Sequence, residues 1–230
     1  MRPAFYALER GGWRDYVTLL HPPYTAWHLA YVVVGGCIAP VVAWERLGLT
    51  ALAFFLAMGV GAHALDELSG RPLQTLIPPS VLVILAAVSV TAACAIGVAV
   101  ALSFSLWILV AVGIGAFLVP AYNLELFGSR FHTDRWFGLA WGAFPVLTGY
   151  LAVTGTLRAE AVLAAAWATL LSLAQRRLSL PVRLVRRRGV AVGDPGPGAP
   201  ALLLSAPEAA LRLLAASTVL AAAALVAARV

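Results

Sequence analysis

Long apolar runs recur along the 230-residue chain, and most of its charged residues lie between them. About 20 apolar residues are what an α-helix needs to cross the hydrocarbon core of a bilayer. Because 62% of the residues are hydrophobic and only 11% are charged, polar side chains are too few to cover a soluble domain. The sequence therefore predicts an all-α, polytopic transmembrane helical bundle of about seven spans, at 24–44, 48–66, 79–100, 102–121, 136–155, 160–175 and 208–228.

The arginines predict how the bundle is oriented. All sixteen basic residues are arginines, and with the N-terminus inside only Arg46, Arg158 and Arg229 lie outside. Loops on the cytoplasmic side of membrane proteins carry an excess of Lys and Arg. We therefore expect a multi-pass protein of the cell membrane with a cytoplasmic N-terminus and an outside C-terminus. Since this rule also accounts for the net charge of +6, no nucleic-acid partner is expected.

Composition divides the chain into four parts. Residues 1–23 form a polar, cytoplasmic N-terminal segment, and residues 24–178 form the transmembrane core with its polar motifs. In 179–207, arginines alternate with Leu and Val, as is typical of an interfacial amphipathic stretch, and a Pro/Gly-rich linker follows at 193–200. Residues 208–230 form the C-terminal transmembrane helix.

The first polar motif ends the second predicted span. His63, Asp66 and Glu67 stand at positions i, i+3 and i+4, so a continuous helix places them on one face. A charged side chain at mid-bilayer costs on the order of 2.5–3.5 kcal/mol, so this cluster predicts a water-filled or metal-loaded cavity. Carboxylate oxygens are the ligands that Mg²⁺ prefers, and it often bridges to phosphate. The alternative is a helix end hydrated among lipid headgroups.

The second polar motif is the loop 122–136 between the fourth and fifth spans. Arg130 and Arg135 are suited to hold phosphate, and Glu125, His132 and Asp134 are candidate acids, bases or ligands. The alternative is a loop with positive-inside arginines and a belt of interfacial aromatic residues. For His28, one turn inside the first span, two interpretations stand: its ring faces the cavity, or it is a satisfied bundle histidine, and the second is favoured.

The order of these segments resembles the UbiA superfamily of intramembrane prenyltransferases over roughly residues 20–178. The likeness is carried by a Pro-containing lead into the first helix, an acidic motif followed by Arg-Pro, and a Tyr-led polar loop before a Gly- and aromatic-containing helix. In this sequence they read HPPYTAWHLAYVVVGGCIAP, GVGAHALDELSGRPLQTLIPPSVL and AYNLELFGSRFHTDRWFGLAWGAFPVLTGY. Where the family carries a second Asp-rich motif, this chain has Gln175-Arg176-Arg177.

The resemblance implies a UbiA-like fold and Mg²⁺-dependent transfer of an isoprenoid from a diphosphate donor to an acceptor. It implies that Asp66, Glu67 and His63 hold the metal. It also implies that the substrate is bound by Arg71, Tyr122, Asn123, Arg130 and Arg135. The proton of the acceptor would be taken up by Asp134, His132 or Glu125.

Two alternatives stay open. His63 and Glu67, with Glu125 and His132, form a His/carboxylate set that could hold Zn²⁺ or iron in a different metal enzyme. The other alternative is a non-catalytic lipid-binding or transport bundle of the same fold. The expected partners are an isoprenoid diphosphate or another lipid, together with membrane lipids.

Overall fold

The computed structural model describes residues 2–188 and 199–230. Within these residues the backbone forms helices joined by loops and turns, with no strand, which confirms the predicted all-helical class. In chain order the helices are α1 (Trp13–Leu19), α2 (Pro22–Cys37), α3 (Trp44–Leu68), α4 (Pro79–Ser103), α5 (Ile108–Asn123), α6 (Asp134–Thr154), α7 (Ala159–Arg188) and α8 (Ala199–Ala227).

Four of these helices are long and apolar enough to cross a membrane: α3, α4, α6 and the part of α8 at Leu204–Ala227. The apolar helix α5 and helix α2 have 16 residues each, which is shorter than the roughly 20 that a perpendicular span requires. Helix α7 has 30 residues, but its second half is basic. The structure thus agrees with a helical membrane bundle.

Several boundaries differ from the predicted ones. Helix α2 ends at Cys37 although the apolar run continues to residue 44, because Pro40 has no backbone N–H to continue the helix. The predicted boundary between residues 178 and 179 falls inside α7, which runs unbroken through Pro181. Of the predicted linker 193–200, residues 193–198 lie outside the described residues, and α8 begins at Ala199.

The centre of the bundle is built around α2. Trp27 and Tyr31 are fully buried, and their side chains pack with Val146 of α6 and Ala168 of α7. The Trp27 indole N–H donates a hydrogen bond to the Tyr31 hydroxyl at 2.7 Å, so both large rings are buried without an unsatisfied polar atom at that contact. The fully buried rings fix how α2, α6 and α7 meet.

Two glycines let α2 and α6 approach closely. A Cβ atom at Gly35 would overlap the backbone carbonyl of Val146, and one at Gly149 would overlap that of Val32. Small residues at such crossings are common in membrane bundles because they let helix backbones touch. This crossing therefore depends on both glycines.

Helices α3 and α6 each contain a stretch of wider, π-helical turns, at Phe55–Ala62 and at Leu139–Ala143. A π turn holds one more residue than an α turn, and such turns occur frequently at functional sites. In α3 the wide stretch comes directly before the polar residues that end the helix.

The N-terminal segment packs against one end of the bundle. Ala7 packs against Leu73 of the α3–α4 loop, and the buried carboxylate of Asp15 accepts hydrogen bonds from the backbone N–H groups of Gly11 at 3.0 Å and Leu76 at 2.8 Å. We call this the N-terminal end of the bundle. The segment is therefore packed into the fold rather than separate from it.

The C-terminus lies at the opposite end. The Arg229 guanidinium donates to the backbone carbonyl of Cys37, the last residue of α2. Arg46 donates to the carbonyls of Ala152 and Val153 at the same end, both at 2.9 Å. The two ends of the chain are thus on opposite ends of the bundle.

Candidate functional site

A cavity of about 700 Å³ opens at the N-terminal end of the bundle. Its walls come from the N-terminal segment, the beginning of α2, the ends of α3 and α5, and parts of α6 and α7. Apart from tyrosines, its ionisable lining consists of three arginines, two carboxylates and every histidine of the chain: Arg71, Arg176, Arg183, Asp66, Glu125, His21, His28, His63 and His132.

The structure brings the two predicted polar motifs together. Residues from the end of α3 and from the α5–α6 loop face the same cavity, although about sixty residues of sequence separate them. The predicted site residues in its lining are His63, Asp66, Arg71, Tyr122, Asn123, Glu125 and His132.

Glu67 is not among the lining residues. Its fully buried carboxylate accepts hydrogen bonds from the backbone N–H of Leu73 at 2.9 Å, and from the N–H and hydroxyl of Thr75 at 2.8 and 2.9 Å. Successive residues are about 100° apart around a helix, so Asp66 and Glu67 point in different directions. Glu67 therefore holds the α3–α4 loop in place.

The predicted metal set of His63, Asp66 and Glu67 is not assembled as three converging ligands. Across residues 2–188 and 199–230, no three His, Cys, Asp or Glu side chains converge closely enough to hold a metal ion. The His/carboxylate set of His63, Glu67, Glu125 and His132 is likewise not brought together there.

Asp134 stands beside the cavity and holds one of its arginines. Its carboxylate pairs with Arg176 Nε at 2.5 Å, and Arg176 Nη1 donates to the Tyr122 hydroxyl at 2.8 Å. The same guanidinium lies over the Phe137 ring, 5.2 Å from its centroid. Residues of α5, α6 and α7 thus fix Arg176 at the cavity wall. The one signal for Arg176 in the sequence was its place in Gln175-Arg176-Arg177, where the family that the sequence resembles carries a second acidic motif.

Arg130 and Arg135 lie outside the cavity lining, and both are exposed. The loop that carries Arg130 is held by other residues: the Ser129 hydroxyl donates to Glu125 at 2.9 Å, and Thr133 caps α6 by accepting the Trp136 N–H. The structure therefore does not bring these two arginines to the other site residues.

Three of the histidines share one hydrogen-bonding pattern. Nδ1 of His28, His63 and His132 bonds a backbone carbonyl, at 2.7, 3.1 and 3.0 Å respectively. A carbonyl only accepts, so each Nδ1 carries a proton, and in the neutral form of the ring Nε2 is an acceptor. His21 stacks on His63 with ring centroids 4.1 Å apart. The cavity therefore offers several proton-accepting nitrogens.

Of the two interpretations of His28, the structure agrees with the one in which its ring faces the cavity, and the favoured one, a satisfied bundle histidine, is wrong. Its side chain lines the cavity, and its buried Nε2 has no hydrogen-bond partner among the described residues. The only hint in the sequence was a polar residue one turn inside an apolar run, which does not indicate the direction of its ring.

A second, smaller cavity of about 90 Å³ lies between α3, α4, α5 and α6. Its lining is apolar apart from Thr50 and Thr148. Met58 and Trp141 line both this apolar cleft and the polar cavity, and each belongs to one of the two π-helical stretches. The polar cavity thus adjoins an apolar cleft at these two side chains.

This arrangement suits an amphiphilic ligand. The apolar cleft is suited to hydrocarbon, the arginines are suited to an anionic head group, and the histidines are suited to accept protons. Comparison with known proteins gives no relative: no protein-family model matches the chain, and neither the curated proteins nor the solved structures contain a significant match.

Proposed function

We propose that this chain is a UbiA-like intramembrane prenyltransferase that binds an isoprenoid diphosphate and transfers its isoprenoid to an acceptor. The observation that carries the proposal is the junction at Met58 and Trp141, where an arginine- and histidine-lined cavity adjoins an apolar cleft. The first part of the isoprenoid chain would lie in the cleft and the diphosphate in the polar cavity.

The arginines would bind the diphosphate. A guanidinium presents several N–H donors in a planar fork that matches phosphate oxygens. Arg176 is already held by Asp134 and Tyr122, so little reorganisation is needed when the ligand binds. When the carbon–oxygen bond to the diphosphate breaks, the leaving group gains negative charge, and Arg71, Arg176 and Arg183 would stabilise it.

Magnesium would enter with the substrate. Mg²⁺ is usually bound by one or two carboxylates together with substrate phosphate oxygens, so it does not require a protein-only cluster. Asp66 in the cavity lining is the carboxylate that would hold it, and the ion would neutralise the diphosphate. Glu67 would act on this site only through the loop that it anchors.

We further propose seven membrane crossings, by α2 to α8, with the cavity at the cytoplasmic end. The bias of arginines among the loops supports this orientation. The positions of the chain termini at opposite ends of the bundle agree with an odd number of crossings. The substrate head would then enter from the cytoplasm.

The test is binding of farnesyl diphosphate to the purified protein in lipid nanodiscs. We compare Arg176→Gln with Arg177→Gln, the next residue on the same helix. The Arg177 side chain is 78% exposed, and its distance to the Asp134 carboxylate is 3.8 Å. Such a surface ion pair contributes little to stability. We expect at least a tenfold loss of affinity for Arg176→Gln and less than about twofold for Arg177→Gln, since hydrogen bonds to charged groups contribute about 1.5–3 kcal/mol.

Other outcomes separate the alternatives. Absence of farnesyl diphosphate binding would overturn the proposal. Binding without release of diphosphate in the presence of acceptors would instead favour a lipid-binding or transport bundle. Stoichiometric Zn or Fe in the purified protein, with no diphosphate binding, would favour the His/carboxylate metal enzyme.

A further inference from the structure

We propose that His28 and Gln175 form a subsite for a hydrogen-bond donor, the hydroxyl or amine group of a second ligand. Both residues are 5% exposed and both line the polar cavity. His28 Nε2 and Gln175 Oε1 are buried without a hydrogen-bond partner among the described residues. Buried polar atoms are nearly always paired, so two unpaired atoms in one cavity indicate a ligand that supplies the missing partner.

The chemistry of the two atoms defines what the ligand must bring. Because Nδ1–H of His28 donates to the carbonyl of Tyr24, Nε2 presents a lone pair. The side-chain oxygen of Gln175 is also an acceptor. Two acceptors require hydrogens from their occupant, so O–H and N–H groups fit this place. A carboxylate or an ionised phosphate, which only accepts, does not.

Neighbouring side chains place this subsite at the junction of the two cavities. The His28 ring packs against Phe137 and Trp141, with centroids 6.3 and 6.4 Å apart. Arg176, the residue after Gln175, lies over the same Phe137 ring. Trp141 also lines the apolar cleft. A hydroxyl or amine group bound here would lie where the apolar cleft ends and the polar cavity begins.

The position of the subsite indicates which chemical class of molecule receives the isoprenoid, and this part of the inference rests on the proposed function. The acceptor would present a hydroxyl oxygen or an amine nitrogen beside the first carbon of the isoprenoid. The bond from that carbon to the diphosphate oxygen breaks, and its electron pair leaves with the diphosphate. The acceptor atom forms the new bond to carbon, and its proton goes to His28 Nε2.

A matched pair of probes tests the subsite without knowledge of the natural acceptor. Farnesol and its O-methyl ether share one hydrocarbon chain, but only farnesol carries an O–H donor. Their dissociation constants are measured in nanodiscs with the full chain. We expect farnesol to bind at least about fivefold more tightly, as expected for a buried hydrogen bond. Equal affinity of the two probes in the wild-type protein would overturn the inference, whatever any variant does.

Two variants then assign the preference to its residues. His28→Phe and Gln175→Leu each remove one acceptor and keep similar bulk, so the preference for farnesol should fall to less than about twofold. Ser172→Ala is the matched control, because Ser172 lies on the same helix as Gln175, is fully buried and is not part of the cavity lining. A preference that survives in both folded variants would overturn the assignment to His28 and Gln175.

Binding of farnesyl diphosphate, measured on the same preparations, separates the two proposals. If the diphosphate binds and the two uncharged probes do not differ, the donor subsite is wrong and the proposed function stands. If farnesol is preferred and the diphosphate does not bind, the subsite stands and the prenyltransferase proposal is wrong.

Discussion

The carboxylate of Glu67 accepts two hydrogen bonds from one residue, Thr75: from its backbone N–H at 2.8 Å and from its hydroxyl at 2.9 Å. The same carboxylate also accepts the backbone N–H of Leu73. Asp66, the preceding residue, lines the polar cavity instead. The two adjacent acids thus have different surroundings, and their substitution should have different effects.

Glu67→Gln should destabilise the protein. The amide replaces one carboxylate oxygen by an NH₂ group, which leaves a buried donor of the α3–α4 loop without its acceptor. We expect a loss of roughly 1–3 kcal/mol in the free energy of unfolding, seen as a lower melting temperature. Asp66→Asn is the comparison variant, and it should weaken Mg²⁺-dependent binding of farnesyl diphosphate. Equal melting temperatures of Glu67→Gln and wild type would contradict the structural role of Glu67.

Gly149→Ala should separate α2 from α6. The added methyl group would overlap the backbone carbonyl of Val32, and backbone cannot move aside as a flexible side chain does. Overpacking of this kind costs typically about 1–3 kcal/mol. Gly113→Ala in α5 is the control, since a Cβ atom there meets nothing within 4 Å. We expect a lower melting temperature for Gly149→Ala only; a similar decrease in both variants would argue against the close crossing.

Met58→Trp should close the junction between the two cavities. The larger side chain would keep hydrocarbon out of the cleft but would leave the arginines accessible. We expect the affinity for farnesyl diphosphate to fall at least about tenfold, because much of the buried apolar area would be lost, and that for inorganic diphosphate to stay within about twofold. Val88→Trp is the control, since Val88 is exposed on α4 and outside the cleft lining. Equal losses for both ligands would contradict the assignment of the cleft to the chain.

The predicted topology can be tested with reporters of membrane side fused to each terminus. We expect a cytoplasmic signal at the N-terminus and an outside signal at the C-terminus. The arginine bias predicts this direction, and the contact of Arg229 with Cys37 puts the C-terminus at the far end of the bundle. Both reporters on one side would exclude seven crossings.

Much of the helical architecture was readable from the sequence because apolar runs and their interruptions indicate helices directly. Pro79 begins a helix where the sequence predicts a span to begin, and Pro22 begins one two residues before the predicted start at 24, as proline favours the first helical turn. The predicted first span extends to residue 44 because the apolar run continues past Cys37, whereas the helix ends at Cys37 ahead of Pro40.

The convergence of His63 and Asp66 with Tyr122 and His132 could be anticipated because both motifs follow helices that end on the same side. The hydrogen-bond partners of Glu67 could not be predicted from the sequence, because they depend on how the α3–α4 loop folds back. Nor does helical spacing show which face of α2 or α7 meets the cavity. His28 and Arg176 therefore emerged only from the packing of whole helices.

The widened turns of α3 have a consequence for the angular register of its last residues. The stretch Phe55–Ala62 immediately precedes His63 and Asp66, so the direction of both side chains depends on the number of residues in that stretch. Adding one residue there would rotate everything beyond it by about 100° relative to the first half of the helix, because the wide turns already hold an extra residue. Insertions in this short stretch should therefore be tolerated far less than point substitutions, even where every side chain that touches the ligand is kept.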